Sequence, residues 1–487
     1  MPDSAQLLRL LPEILLSVFG TLVMALDPLV SKRRKPLLGV LALLAIYCAL
    51  VATAISHARQ GTAFYGMITV DGFATFFRCL VYLVGFLTVL ASMSYLRREE
   101  LPQGEFYSLV LFGLVGQGLM AVSVELMMMF LGLEISSIST YILAGFLRRD
   151  PRSNESALKY FFLGSFATAF LLYGVALIYG ATGSTQLAAI RGALAQEGAD
   201  RALVAVAAAL LFVGFGFKVS AAPFQIWTPD VYQGAPSPVT AYLSTGPKAA
   251  AFAIFLRVYF TALPAVEDAW MWLLWISALL SMSIGNFAAL LQTNIKRLLA
   301  YSSIAHAGYV LVAFTSRSPI GTAAAMFYLA AYAFMNIGAF VVVSHLASRG
   351  ERYVAVEDYT GLGRRHPFLS ALLTIFLLSL IGIPLTGGFF GKFYVFQAAV
   401  NAELIGLAVL GLLNTAVAAY YYLRVLVVMY MQEPKDAPAL DPLPPGIAVT
   451  LLLSAAAVVY LGVFPGRVLE FATRSVAGWG QMFPPGR

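Results

Sequence analysis

Apolar residues in this chain fall into long blocks separated by short polar stretches. A helix needs about 20 such residues to cross a hydrocarbon core of roughly 30 Å. About fourteen blocks meet that length, at 5–28, 37–57, 68–95, 106–123, 126–147, 157–180, 203–222, 238–262, 270–291, 297–315, 321–347, 369–399, 404–430 and 446–465. They lack the ten-residue alternation of an outer-membrane barrel, so the pattern predicts an all-α polytopic membrane protein. The polar stretches at 181–202, 348–368 and 431–445 are too short to bury a core of their own. The whole of 1–487 therefore reads as one transmembrane domain.

Two blocks are interrupted by helix breakers. Gly214, Gly216 and Pro223 surround Lys218 in the seventh, and Pro384, Gly387, Gly388 and Gly391 lead up to Lys392 in the twelfth. Unwound backbone is tolerated at membrane depth only where it lines a polar cavity, and paired breaks point to a transporter built from repeats. The breaks lie five helices apart, and a unit of five reverses direction at each repetition. The expectation is an inverted pair, spans 4–8 (106–262) and 9–13 (270–430). Three helices over 1–105 precede it, and a last helix with a tail over 446–487 follows.

Composition agrees: 60% of the 487 residues are hydrophobic, 11% are charged, and mean hydropathy is +0.82. The net charge of +7 would suggest nucleic acid were it not distributed by loop. Odd-numbered loops carry Lys32, Arg33, Arg34, Lys35, Arg97, Arg98, Arg148, Arg149, Arg152, Lys296, Arg297, Arg349, Arg352, Arg364, Arg365 and Lys435, which is 16. Even loops and termini carry Arg9, Arg59, Arg191, Arg201, Arg317, Arg467, Arg474 and Arg487, which is 8. By the positive-inside rule the odd loops are cytoplasmic, both termini face outward, and nucleic acid is not a partner. The first block lacks a basic leader, so it reads as an uncleaved helix. Cys48 and Cys79 show no metal, haem or redox spacing.

Of the 31 Lys and Arg residues, 31 − 24 = 7 lie inside spans: Arg78, Lys159, Lys218, Lys248, Arg257, Lys392 and Arg424. Lys159, Arg257 and Arg424 are near span ends and read as snorkelling to the headgroups, and Arg78 reads as pairing with Asp71. Lys218, Lys248, Lys392 and the acid Glu134 lie near span centres, where an ionised side chain costs roughly 3 kcal/mol or more. A Glu–Lys pair could merely fix packing, but one acid and three ammonium groups at similar depth fit a proton relay better. Contact with a carboxylate would set the proton affinity of a buried lysine such as Lys218. His306, in the tenth span, adds an imidazole that ordinarily titrates at about pH 6.5. Tyr301, Ser302 and Ser303 beside it could hold water. A packed core histidine is the competing reading.

No phosphate-binding loop, dinucleotide fingerprint, metal cluster or nucleophile elbow occurs, and Gly361-Leu362-Gly363 is a turn. The expectation is that no cofactor sits on this chain and that a gradient or a partner drives it.

The stretch GFKVSAAPFQIWTPDVYQGAPSPVTAYLSTGPKAA, from Gly216 to Ala250, resembles the signature of the proton-antiporter-like membrane subunits of NADH:quinone oxidoreductase, respiratory complex I. QTNIKRLLAYSSIAHAGYVL (Gln292 to Leu311), SLIGIPLTGGFFGKFYVF (Ser379 to Phe396) and FLGLE (Phe130 to Glu134) resemble the same family, so the likeness covers essentially the whole chain. The subunit N type is most similar. The largest type continues into a lateral helix for which no residues remain, and another carries glutamate where Lys392 stands. The resemblance implies that Glu134 and Lys218 form a switchable pair, Lys248 connects, and Lys392 is the terminal site. It also raises Lys159 to a supporting role, and places Glu105 at an acidic position facing a neighbouring subunit. The family commonly has PFHxW where this chain has Pro223-Phe224-Gln225-Ile226-Trp227, and glutamine cannot titrate. The resemblance further implies a bacterial inner membrane and neighbouring antiporter-like and small helical subunits, with NADH, FMN, iron–sulfur clusters and quinone on partner subunits. A monovalent cation/proton antiporter subunit and a structural scaffold without transport are the competing readings.

Overall fold

The computed structural model describes residues 4–196, 200–433 and 442–477. Lys435, Arg487 and the tail beyond residue 477 lie outside the described residues. The elements are α1 (Ser4–Arg9), α2 (Leu11–Leu26), α3 (Pro36–His57), β1 (Gly61–Ala63), β2 (Ile68–Val70), α4 (Gly72–Arg98), α5 (Gln103–Val122), α6 (Leu126–Ala144) and α7 (Pro151–Thr182). There follow α8 (Leu187–Leu194), α9 (Arg201–Val219), α10 (Thr228–Gly234), α11 (Ser237–Leu243), α12 (Gly246–Thr261), α13 (Glu267–Leu290), α14 (Ile295–Thr315) and α15 (Pro319–Leu346). The last are α16 (Leu362–Arg365), α17 (Pro367–Ile381), α18 (Gly387–Asn401), α19 (Ile405–Met431), α20 (Pro445–Val463) and α21 (Pro465–Val476).

Among the described residues, 12 helices are long and apolar enough to cross a membrane. The other two expected spans, 238–262 and 369–399, are built in two pieces each, as α11–α12 and α17–α18. A small hairpin, β1 antiparallel to β2 with Thr62 opposite Thr69, was not foreseen. Of these twelve helices the most enclosed are α14 and α15, with α4 and α5 next, while α2 and α7 leave most of their length at the surface. Helix pairings in the first five expected spans recur in the second. α5 packs on α6 as α13 packs on α14, α7 lies on α9 as α15 lies on α17 and α18, and α12 closes on α5 as α19 closes on α13.

The helix breaks survive in a bilayer because nearby side chains satisfy the freed backbone groups. After α9, Ser220 takes a left-handed conformation (φ 62°), and Trp227 Nε1 donates to the carbonyl of Phe217 at 3.0 Å. Two serines of α13 hold the unwound piece, Ser281 Oγ accepting from Ala222 N and Ser277 Oγ donating to Ala222 O. After α17, Gly382 is left-handed (φ 96°), a conformation glycine adopts without steric cost. A third break lies between α11 and α12, where Pro247 removes a backbone donor and the hydroxyls of Ser244 and Thr245 both donate to Ala241 O.

Several charges expected to snorkel or to pair locally do something else. Arg78 binds Glu13 of α2 through two hydrogen bonds (2.8 and 2.6 Å), and Tyr82 OH donates to the same carboxylate. Arg78 is fully buried. Asp71 cannot reach it, because it caps α4 about two turns away, where it accepts from Ala74 N. Asp71 instead takes a bidentate pair from the buried Arg257 of α12 at 2.9 and 3.1 Å. Arg424 is not snorkelling either: it donates to the carbonyls of Leu290 and Gln292 and so caps α13.

On the side of the odd loops, Glu351 holds α4, α11 and α14 together. It accepts from Tyr95 OH (2.9 Å), Ser237 N (2.6 Å) and Lys296 Nζ (2.6 Å), and Lys296 also donates to Ala235 O. Burial opposes ionisation of this carboxyl, but the Lys296 ammonium and the hydrogen bonds outweigh it and hold Glu351 below its ordinary value.

Glu13→Leu is expected to leave Arg78 buried and unpaired, at a cost of about 3–5 kcal/mol, and Glu13→Leu/Arg78→Met to recover much of it; the amount of assembled protein on native gels reads both. For Glu351, a depressed folded-state value means that its contribution is present above the unfolded value of about 4.3 and is lost as pH falls through the lower folded value. Hydrogen exchange over 235–243, corrected for intrinsic rates, should thus stay constant from mildly alkaline pH to well into the acid range, and Glu351→Gln should raise it throughout.

A buried line of ionisable residues

On α6, Glu134, Ser137 and Tyr141 are spaced three and four residues apart, which puts them on one face of the helix. Glu134 is only partly buried and accepts from Thr168 of α7 at 3.0 Å. Lys218, in the last turn of α9, donates to Ser137 Oγ (2.6 Å) and to Tyr141 OH (3.1 Å). The rings of Tyr141, Tyr160 and Phe217 surround its ammonium at 4.9, 5.5 and 5.8 Å. The expected Glu134–Lys218 pair is open: no ion pair within 4.0 Å joins them, although the carboxylate is near enough for its charge to act on Lys218. Ser137 and Tyr141 stand between, a spacing legible in the sequence but not exploited there.

A small cavity lies against Lys218, lined also by Ser136, Thr140, Leu243, Pro247 and Ala251. It has about 10 Å³ of space for water, roughly one molecule. Pro247 belongs to the break between α11 and α12, so the cavity connects Lys218 with the start of the helix that carries Lys248. Lys248 is buried and donates to Ser303 Oγ (2.5 Å) and Ser303 O (3.2 Å). One turn on, His306 contacts Tyr328 OH through Nδ1 (2.7 Å) and Tyr422 OH through Nε2 (3.3 Å), and Tyr422 bonds closely with Ser302. Ser303 thus contacts Lys248 and Ser302 contacts Tyr422, whereas Tyr301 turns away beneath the Arg297 guanidinium. Tyr328 comes from the next helix and Tyr422 from one far along the chain, and no local pattern announces them.

Lys392 lies just past the twelfth-span break. Its ammonium donates to the carbonyls of Leu380 (3.1 Å) and Ile381 (2.8 Å), the last residues of α17, and sits over the Tyr309 ring at 4.8 Å. The lysine therefore caps the half-helix that the break creates.

Lys159 is neither a lone snorkel nor part of the buried line. It bonds Glu155 and Asp230 at 2.6 Å each, and Asp230 also binds Arg297 at 2.6 Å. Partial burial of Asp230 opposes its ionisation, but hydrogen bonds from Lys159 and Arg297 prevail and lower its titration point. These groups border an open groove of about 740 Å³ lined by Lys159, Glu155, Asp230, Ile226 and Trp227. Trp227 also lines the inner cavity and stacks on Tyr160 at 4.5 Å, so this pair of rings separates groove from Lys218. Asp230, missed in the sequence, stands in the first turn of α10 right after the break, a usual place for an acid. Glu105 is at the surface, bonded to Arg148 at 2.6 Å and apart from the line. Gln225, at the position where histidine is common, has a buried Oε1 without a partner.

Residues 123–418, well over half of the chain, match the NADH:quinone oxidoreductase/Mrp antiporter transmembrane family. The chain belongs to this family. Among its members, NADH-quinone oxidoreductase subunit N 1 of Solibacter usitatus (strain Ellin6076) is 60% identical over 471 residues, covering 96% of this chain and 97% of that protein. Subunit N 2 of Koribacter versatilis (strain Ellin345) is 52% identical over 477 residues, covering 96% of each. A chain of respiratory complex I from Thermus thermophilus superposes with a TM-score of 0.82 at 37% identity, covering 95% of this chain and 99% of that one. A chain of the Mrp complex from Dietzia sp. DQ12-45-1b shares the fold, with a TM-score of 0.84 at 20% identity over 97% of each. Within the family's antiporter-like architecture, the matched stretch includes the buried line from Glu134 to Lys392.

A cysteine at position 218 tests the Trp227–Tyr160 partition. Lys218→Cys should react slowly with a charged thiol reagent from the odd-loop side. Adding Trp227→Ala should speed the reaction several-fold by joining the groove to the cavity.

Proposed function

We propose that this chain is a proton-translocating subunit of the membrane arm of a bacterial NADH:quinone oxidoreductase, of the subunit N type. Protons pass along Glu134, Lys218, Lys248 and Lys392, with His306 between the last two and Lys159 on the uptake side. The observation that carries this reading is a contrast within one molecule. Arg78–Glu13, Arg257–Asp71 and Lys296–Glu351 are closed ion pairs, as structural charges should be. Lys218, Lys248 and Lys392 instead meet hydroxyls and carbonyls, and none forms an ion pair. Neutral partners accommodate both the protonated and the neutral amine, so the proton can leave without stranding a charge.

NADH oxidation and quinone reduction belong to other subunits in this reading, and no redox group or nucleotide resides here. The recurring helix pairings support an inverted repeat of spans 4–8 and 9–13. The loop charges support a bacterial inner membrane with both termini periplasmic. Partly exposed Glu134, on a lateral face with Leu131 and Ile138, supports a neighbouring membrane subunit covering it. Glu105 at the surface fits the same kind of contact. A sodium-type antiporter would need more carboxylates at mid-membrane than Glu134, since Glu13 and Asp71 are already committed to arginines.

Inverted vesicles containing the assembled complex test the relay. Lys218→Ala and Lys392→Ala should each cut NADH-driven proton pumping severely at normal assembly. Unchanged turnover with unchanged protons pumped per NADH would favour a scaffold instead.

A further inference from the structure

Where α10, α14 and α15 meet lies a cluster of buried polar atoms that do not satisfy one another. The hydroxyls of Tyr232 and Tyr332 lie near Ser303, the partner of Lys248, yet neither makes a hydrogen bond of good geometry. Asn336 is fully buried, and both its Oδ1 and its Nδ2 lack partners. Tyr332, Asn336 and Phe340 follow each other at four-residue steps on α15, so they share one face. Tyr332 packs on His306 at 5.1 Å between ring centroids, and Phe340 packs on Tyr232 at 6.2 Å. Asn336 therefore faces the same cluster, between the His306 contact and the aromatic pair.

We propose that these unpartnered groups bind a small cluster of ordered water held by Asn336, Tyr232 and Tyr332, and that Asn336 is a positioning residue for proton passage between Lys248 and His306. An amide oxygen and an amide nitrogen need a donor and an acceptor respectively, and water supplies both. Buried polar groups in folded proteins are rarely left without a partner, and a site ringed by several of them holds water stably. A metal cation is excluded by the Lys248 ammonium beside it and by the lack of a carboxylate among these residues. Among the described residues, the direct hydrogen bonds run from Lys248 to Ser303 and, separately, join His306 with Tyr328 and Tyr422 and Tyr422 with Ser302, with none joining the two sets. Water between Ser303 and Tyr332 closes that gap. The role in proton passage rests on the proposed function, while the water site stands without it.

Asn336→Leu keeps the number and branching of side-chain heavy atoms but removes both polar atoms, and Asn336→Ser supplies a hydroxyl with room for water. In the assembled complex, high-resolution electron density is expected to show water within hydrogen-bonding reach of Asn336. Asn336→Leu is expected to slow NADH-driven pumping several-fold and to raise its solvent deuterium isotope effect. Asn336→Ser should restore both, a rescue that a purely structural role would not give. A dry Asn336 overturns the proposal whatever the variants do, and so does an unchanged rate and isotope effect in Asn336→Leu. Normal pumping in Lys218→Ala, with water still present at Asn336, would instead remove the relay and leave the water site.

Discussion

Everything in this chain answers to one constraint: inside a bilayer, a polar group must find its partner within the protein. Three helices are broken at depth, and each break is paid for locally by side chains. Trp227 and two serines of α13 complete the first, Ser244 and Thr245 the second, and the Lys392 ammonium the third. In the third case alone, the group that repairs the backbone is also the group proposed to carry a proton. The ending of α17 and the chemistry of Lys392 are then one interaction.

The same constraint separates charges that hold from charges that move. Arginines 78 and 257 each grip a carboxylate with a two-pronged fork, a geometry guanidinium favours and ammonium cannot copy. All three proposed mid-membrane carriers are lysines. A guanidinium does not give up its proton in a protein, whereas a lysine freed from any carboxylate can. Lys296, a buried lysine closed on Glu351, shows that the partner matters as well as the residue type: an ammonium gripped by a carboxylate fastens, as the two arginines do.

Much of this was legible in the sequence. The fourteen apolar blocks, the breaks beside Lys218 and Lys392, and the four mid-membrane charges need only periodicity and the cost of burying charge. Partnerships across helices were not legible. Arg78 was assigned to Asp71 because they are neighbours in sequence, yet its true partner, Glu13, is on another helix. Arg257 was assigned to the headgroups because its distance from a span end says nothing about Asp71 waiting across the bundle. The break at Thr245 was hidden because the eighth block is apolar enough to read as one helix. Asn336 gave no signal at all, since an isolated amide in a long apolar run means something only once its neighbours are known.

The seat of Lys392 on α17 has a mechanical corollary. Its counter-charge is the negative end of a half-helix, a sum of peptide dipoles that no proton can neutralise. The acceptor side of that hold does not titrate, so only the proton of Lys392 itself or a change of geometry alters it. Such a change is displacement, with α18 sliding or tilting by a fraction of a helical turn against α17 and drawing the ammonium away from the two carbonyls. Under the proposed relay, Lys392 would act as a strain gauge, converting movement of α18 against α17 into a readiness to let a proton go.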